Sequence, residues 1–226
     1  TLLKEALASR NPYRVGIALH AFADTWAHQN FSGVLSQGNA VNQGSPIPPV
    51  GHAQALTMPD QIDEVWTDSR LNIECRTVRN ADRFLAAAGK IYRYLCLYNG
   101  RSYADEELVL GRFAEVMGIA GKRKERRERV LDCVIEYDME PYRRTDWMEE
   151  AAAENLSETD DILFEGYSKV QWLMNSILYR SRLKAPEPIR PREGFFSSNL
   201  YRWCEAARIH KDRALALIRE TIGKLP

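Results

Sequence analysis

Apolar residues recur at helical spacing along most of the chain. Residues 1–9 read as the end of a helix. Asn11-Pro12 then offers a cap and a first-turn proline, and Val15, Ile17, Leu19 and Phe22 follow. This predicts a helix to about Asn30, ended by Phe31-Ser32-Gly33. Further helices are predicted over 60–74, over 80–98 with a stop at Asn99-Gly100, and from Ala104-Asp105 to near Gly118. Others follow over 122–139, 146–155 and 158–183, the last opened by Ser157 with Asp160 three residues on. Ser198 caps a final helix running to about Gly223. Strand alternation and internal repeats are not visible. The pattern implies an all-α, multi-helix fold, read as a single domain over 1–226.

Two stretches break the period. Residues 32–59, SGVLSQGNAVNQGSPIPPVGHAQALTMP, are punctuated by glycine, proline, serine and asparagine, yet carry Val34, Leu35, Val41, Ile47, Val50 and Leu56 as apolar anchors. So long a connection inside a compact domain is uncommon and often functional, and the anchors favour an ordered loop over a disordered linker. The other, KAPEPIRPREG at 184–194, begins a proline-rich connection over 184–197 to the last helix.

Composition narrows the partners. Lysine plus arginine equals aspartate plus glutamate at 31 each, so no whole-chain field attracts nucleic acid. Apolar runs all fall short of the 18 or so residues that span a bilayer. Cys75, Cys96, Cys133 and Cys204 form no CxxC pair and read as buried small hydrophobes in a reducing, cytoplasmic setting, with two long-range disulfides as the alternative. The chain opens at Thr1 without methionine or a signal-like segment, which leaves room for residues upstream.

The chemistry concentrates near the amino end. In ALHAFADTWAHQNFSG, residues 18–33, His20, Asp24 and His28 stand at i, i+4 and i+8. Neighbours four apart lie about 40° around a helix and about 6 Å along it, a spacing at which two side chains can grip one ion. His20 and His28 are about 12 Å apart by the same geometry, which suits two ions bridged by Asp24 better than one. Two such ions clamp the attacking and leaving oxygens of a phosphoester and acidify a bound water. The competing reading is structural: Asp24 pairs with a histidine or arginine, and His20 is a satisfied core residue. An apolar, alanine-rich helix favours the metal, since a buried carboxylate is costly without a cation or donor. His52 and Asp60, in GHAQALTMPD, add a second imidazole and carboxylate from the loop downstream.

ALHAFADTWAHQNFSG resembles the metal-binding helix of the zinc-dependent phospholipase C/nuclease superfamily, and looks closest to its fungal heterokaryon-incompatibility C-like branch. It is also similar to a group of bacterial proteins of unassigned function sharing DTWAHQNFSG and a following GHA…PD. The resemblance covers about residues 15–65. It implies an all-α bundle of the phospholipase C/nuclease type around up to three zinc ions, hydrolysing phosphodiesters. Carried over, His20 and His28 would each ligate an ion and Asp24 would bridge two. His52 and Asp60 would correspond to a later histidine-aspartate pair, though seven residues separate them here where the family has three. Early ligands of the family have no counterpart upstream of His20.

Other residues carry weaker signals. Trp26 and Phe31 flank the stripe as an aromatic wall for a base or acyl chain, or simply as core. Asp68 and Arg70, in WTDSR, can support the site as an outer carboxylate and a phosphate clamp, or form an ordinary ion pair. His210 reads as a solvated helix residue. KRKERRER, 122–129, has six positive and two negative charges, and its glutamates describe a solvated face more than a phosphate-docking one. These residues point to a hydrolase of a small phosphoester or lipid-like substrate, using one to three zinc or other divalent ions, with Asp24 catalytic. The other reading is a helical binding or scaffold protein that keeps a structural or vestigial metal site. Oligomeric state is not implied by either.

Overall fold

A computed structural model describes residues 1–42, 44–118, 123–140, 143–151 and 192–222. The fold is all-α apart from one short hairpin, and the chain divides into two compact units, Thr1–Pro141 and Tyr142–Pro226. The first unit holds α1 (Leu2–Ala8), α2 (Pro12–Ala27), β1 (Val65–Thr67), β2 (Thr77–Arg79), α3 (Asn80–Tyr98), α4 (Glu106–Met117) and α5 (Arg123–Glu136). The second holds α6 (Arg144–Ala151) and α7 (Asn199–Ile222). The helix expected over 158–183, and the proline-rich stretch through 191, lie outside the described residues.

Helix α2 starts where its caps require. Asn11 is extended, and its side chain accepts from the Arg14 N–H at 3.1 Å, with Pro12 in the first turn. Leu3, Ala6 and Leu7 of α1 bury against Ala18, and Val15, Leu19 and Phe22 of α2 join Tyr94, Leu95 and Tyr98 of α3 around them. The α3 terminus at Asn99-Gly100 and the α4 terminus at Gly118 are as expected, both glycines taking left-handed backbone (φ +64° and +51°). Next to Gly118, the Arg129 side chain of α5 donates to the Val116 carbonyl.

Two cations in the basic start of α5 pair within the chain. Arg126 meets Asp63 at 3.1 Å, and Lys124 faces Glu128 at 3.9 Å. At the other end of the helix, Arg112 of α4 meets Glu136 at 2.8 Å. In the second unit the Glu150 carboxylate accepts from the Asn199 backbone and side chain, and Ser198 caps α7 by accepting from the Tyr201 N–H at 3.2 Å.

Residues 60–74 correct the helical expectation. A 3₁₀ turn ends at Asp60, and β1 then pairs antiparallel with β2, Trp66 lying opposite Val78 with both side chains buried. Three-residue strands hold barely one period of alternation, too little to stand out from a helical pattern. The pair forms because Trp66 and Val78 bury with Ala55 against Phe31, Val41, Met58 and Leu71, a small core beneath the long loop.

The loop itself is ordered, and buried asparagines hold it. Asn39, 1% exposed, accepts from the Ser32 N–H and donates to the Ser32, Val34 and Pro49 carbonyls. Fully buried Asn80 accepts from Trp66 Nε1 at 3.0 Å and donates to the Met58 and Gln61 carbonyls. The cysteines are all free. Cys96 is buried as expected, whereas Cys75 and Cys204 are exposed. Among the described residues, no helix is long and apolar enough to cross a membrane.

Candidate metal centre

Helix α2 ends at Ala27, short of the expected Asn30, and this exit shapes the site. His28 leaves helical geometry (φ −102°, ψ 40°) while its N–H still reaches the Asp24 carbonyl, and Asn30 turns left-handed at φ +64°. The carbonyls freed at a helix end need donors. Arginines supply them here: Arg83 reaches Ala27 at 3.4 Å, and Arg70 reaches Gln29 and Asn30 at 3.3 and 2.8 Å.

The break turns His28 toward the loop. Its Nε2 donates to Asp60 Oδ1 at 2.8 Å, and its ring stacks on that of His52, with centroids 4.3 Å apart and planes 16° from parallel. Each of His28, His52 and Asp60 offers a donor atom, all within 4.8 Å of one another. Four-coordinate zinc with bonds near 2.1 Å spaces its donors about 3.4 Å apart, so adjustments of about an ångström bring these onto one ion.

The His52 tautomer is fixed by its own loop. Its Nδ1 lies 3.0 Å from the Leu56 carbonyl, which can only accept, so Nδ1 carries the proton and Nε2 presents its lone pair. Leu56 points that carbonyl from a left-handed backbone, φ +54°, unusual for leucine and costing about 1–3 kcal/mol. Gly51, at φ +52°, meets the same backbone demand at the turn before His52.

The stripe seen in the sequence is therefore divided. His28 joins His52 and Asp60, while His20 and Asp24 face each other at 3.5 Å, side chains 81% and 48% exposed, outside that cluster. Trp26 makes an edge contact with Phe22 and lines an apolar cleft of about 290 Å³ between α2, α3 and α4. His210 lies on α7 and is not part of the cluster.

Asp68 and Arg70 form an ion pair, the reading expected as the alternative to an outer carboxylate and a phosphate clamp. Asp68 is fully buried and accepts from Arg70 Nε and Nη2 at 2.8 and 2.6 Å, and from its backbone N–H. Burial pushes the Asp68 carboxyl up, but the Arg70 side chain, backbone N–H and charge, with Arg83 beyond, outweigh it and hold the group below its ordinary value of 3.8. The guanidinium lies over the Phe31 ring at 3.4 Å, and the Phe31 edge meets His52 at 6.2 Å. What hid this from sequence reasoning was the hairpin, which alone brings residues 66–70 under the end of α2.

A carboxyl depressed by folding contributes stability that is fully present above its unfolded pKa and lost as pH falls through the lower folded one. Wild type will therefore exceed Asp68→Asn in stability at neutral pH, and the gap will narrow once pH drops below 3.8. Denaturant titrations of both proteins across that range measure it. A gap that stays constant with pH would show that the charge is not what Asp68 contributes.

No curated protein and no solved structure matches the chain. A family model described as a family of unknown function, DUF6765, matches residues 1–218, and the chain belongs to that family.

Proposed function

We propose that this protein is a metal-dependent hydrolase acting on a phosphoester, with His28, His52 and Asp60 as its metal ligands. One observation carries the reading: two imidazoles and a carboxylate, from a helix exit and two turns of a long loop, meet within 4.8 Å. Two nitrogens and one oxygen suit zinc and other divalent ions of similar preference. Three protein ligands leave a coordination position for water or substrate, whereas structural zinc is closed by four. The phosphoester class rests on the resemblance of residues 18–33 to the phospholipase C/nuclease helix.

Bound at these residues, a divalent ion supplies Lewis acidity toward water and a phosphoryl oxygen. The chain's own groups do the rest. Leu56 fixes the His52 tautomer, and the open surface around Asp60, whose side chain is 44% exposed, admits substrate. The exposed His20–Asp24 pair, with facing atoms 3.5 Å apart, stands outside this ligand set.

The alternative, a binding or scaffold protein with a metal kept for stability, differs in one physical respect. Structural metal sites supply folding energy, and their removal unfolds the domain. Here Asn39 and Asn80 already hold the loop through their own hydrogen bonds. Purified protein will carry zinc or a similar ion at one or more per chain. Chelation will abolish hydrolysis of a generic phosphodiester such as bis-p-nitrophenyl phosphate while shifting Tm by only a few degrees. Collapse of the fold on chelation would favour the scaffold reading, and metal-free protein that binds no added zinc would end both.

A further inference from the structure

Arg70 has a single N–H of its five left for a substrate phosphate. Its Nε and Nη2 serve Asp68, Nη1 and Nη2 serve the Asn30 and Gln29 carbonyls, and one face covers Phe31. Its side chain is 8% exposed. A substrate clamp needs free donors facing solvent. Every group Arg70 touches instead lies within three residues of His28, or in its own hairpin.

The contacts run on without a gap. Asp68 orients the guanidinium, which holds the two carbonyls directly after His28 and the ring of Phe31. Phe31 bears edge-on against His52, and His52 stacks on His28. Two half-buried imidazole rings gain little from stacking by themselves. Something must hold both rings, and the Arg70–Phe31 platform touches the backbone directly after one and the ring of the other.

We infer that Asp68, Arg70 and Phe31 are positioning residues that hold the His28 and His52 rings face to face, and so preset two of the three proposed metal ligands. The consequence for metal affinity rests on the function proposed above; the ring geometry does not. Lysine at position 70 supplies one point charge in place of a planar fork and cannot reproduce four bonds and a stacked face. Leucine at 31 removes the flat surface beneath the guanidinium while leaving the Asp68–Arg70 bonds in place.

The test uses the full chain, without metal first. The two imidazole Cε1–H resonances, assigned by His28→Gln and His52→Gln, will lie upfield of free histidine because each ring sits in the other's ring current. In Arg70→Lys and Phe31→Leu they will move toward the free-histidine position, with Tm held near wild type in Phe31→Leu, and Phe31→Tyr will restore them. Cobalt(II), titrated next and followed by its visible spectrum, will bind the two disruptive variants about 10- to 100-fold more weakly, the usual loss when an outer partner of a ligand is removed. Unchanged imidazole resonances in both variants would overturn the inference. Should Arg70→Lys fail to fold, the Phe31 pair decides alone. Wild type that takes up no cobalt would remove the metal reading, while the resonances still judge the positioning.

Discussion

Asp60→Asn will weaken metal binding and phosphodiester hydrolysis far more than Asp24→Asn. From the helix alone the opposite order follows, since Asp24 stands midway between two histidines and is the natural bridge, so its loss should end phosphodiesterase activity. Folding changes the partners. His28, capping α2 at the break, turns to Asp60 at 2.8 Å, and Asp24 is left with His20 at 3.5 Å on an exposed face. A ligand lost from a three-donor set costs at least the 10- to 100-fold that outer partners cost. Asparagine keeps the shape of Asp60 but lowers the charge that draws a divalent cation. The expected result is a zinc affinity reduced by more than about 100-fold in Asp60→Asn and by only a few fold in Asp24→Asn, read by competitive zinc titration. Equal large losses would mean two coupled ions and would support Asp24 as their bridge. A loss confined to Asp24→Asn would return the site to the helical stripe.

Asn80→Ala will be among the most destabilising single changes in the first unit. The residue is fully buried at the start of α3 and joins three separate pieces of chain. It accepts from the Trp66 indole, and its amide serves the Met58 and Gln61 carbonyls on either side of Asp60. Alanine leaves the buried Trp66 indole N–H without a partner, at about 1–3 kcal/mol before relaxation, and takes one of two donors from the Met58 and Gln61 carbonyls, which keep the Gln61 and Glu64 N–H groups. A net loss of about 3 kcal/mol is expected, or a Tm lowered by about 6–12 °C at this chain length. Because the turn carrying Asp60 hangs on these bonds, the folded fraction will also bind metal less tightly. Calorimetry with and without zinc separates the two effects. A loss below about 1 kcal/mol would show that the loop is held by its apolar core of Ala55, Trp66 and Val78 instead.

The helices and the chemistry near the amino end were legible in the sequence because their signals are local. Asn11-Pro12 marks the start of α2, Asn99-Gly100 the end of α3 and Gly118 the end of α4, each through backbone demands of a few neighbouring residues. The loop at 32–59 announced itself by composition, but of its expected apolar anchors Val34, Leu35, Val50 and Leu56 are exposed, and buried Asn39 ties the backbone instead. His28, His52 and Asp60 stood out as rare ligand-bearing residues in one quarter of the chain. The hairpin was not legible, since three-residue strands are specified by what Trp66 and Val78 bury against and not by their own pattern. The early end of α2 was hidden for the same reason: the arginines that take its carbonyls arrive from residues 70 and 83.

What the sequence by itself determined was which residues are available: a mostly helical chain with two histidines and an aspartate on one stripe, and a third histidine and a second aspartate following. What only the tertiary structure decided was the grouping. Helical periodicity fixes relations over three or four residues, and on that scale Asp24 belongs to His20 and His28 equally. The long-range bonds of Asn80, Arg70 and Phe31 break that tie, because they bring a loop 24 to 32 residues downstream of His28 against its ring, Asp60 at 2.8 Å and His52 stacked at 4.3 Å.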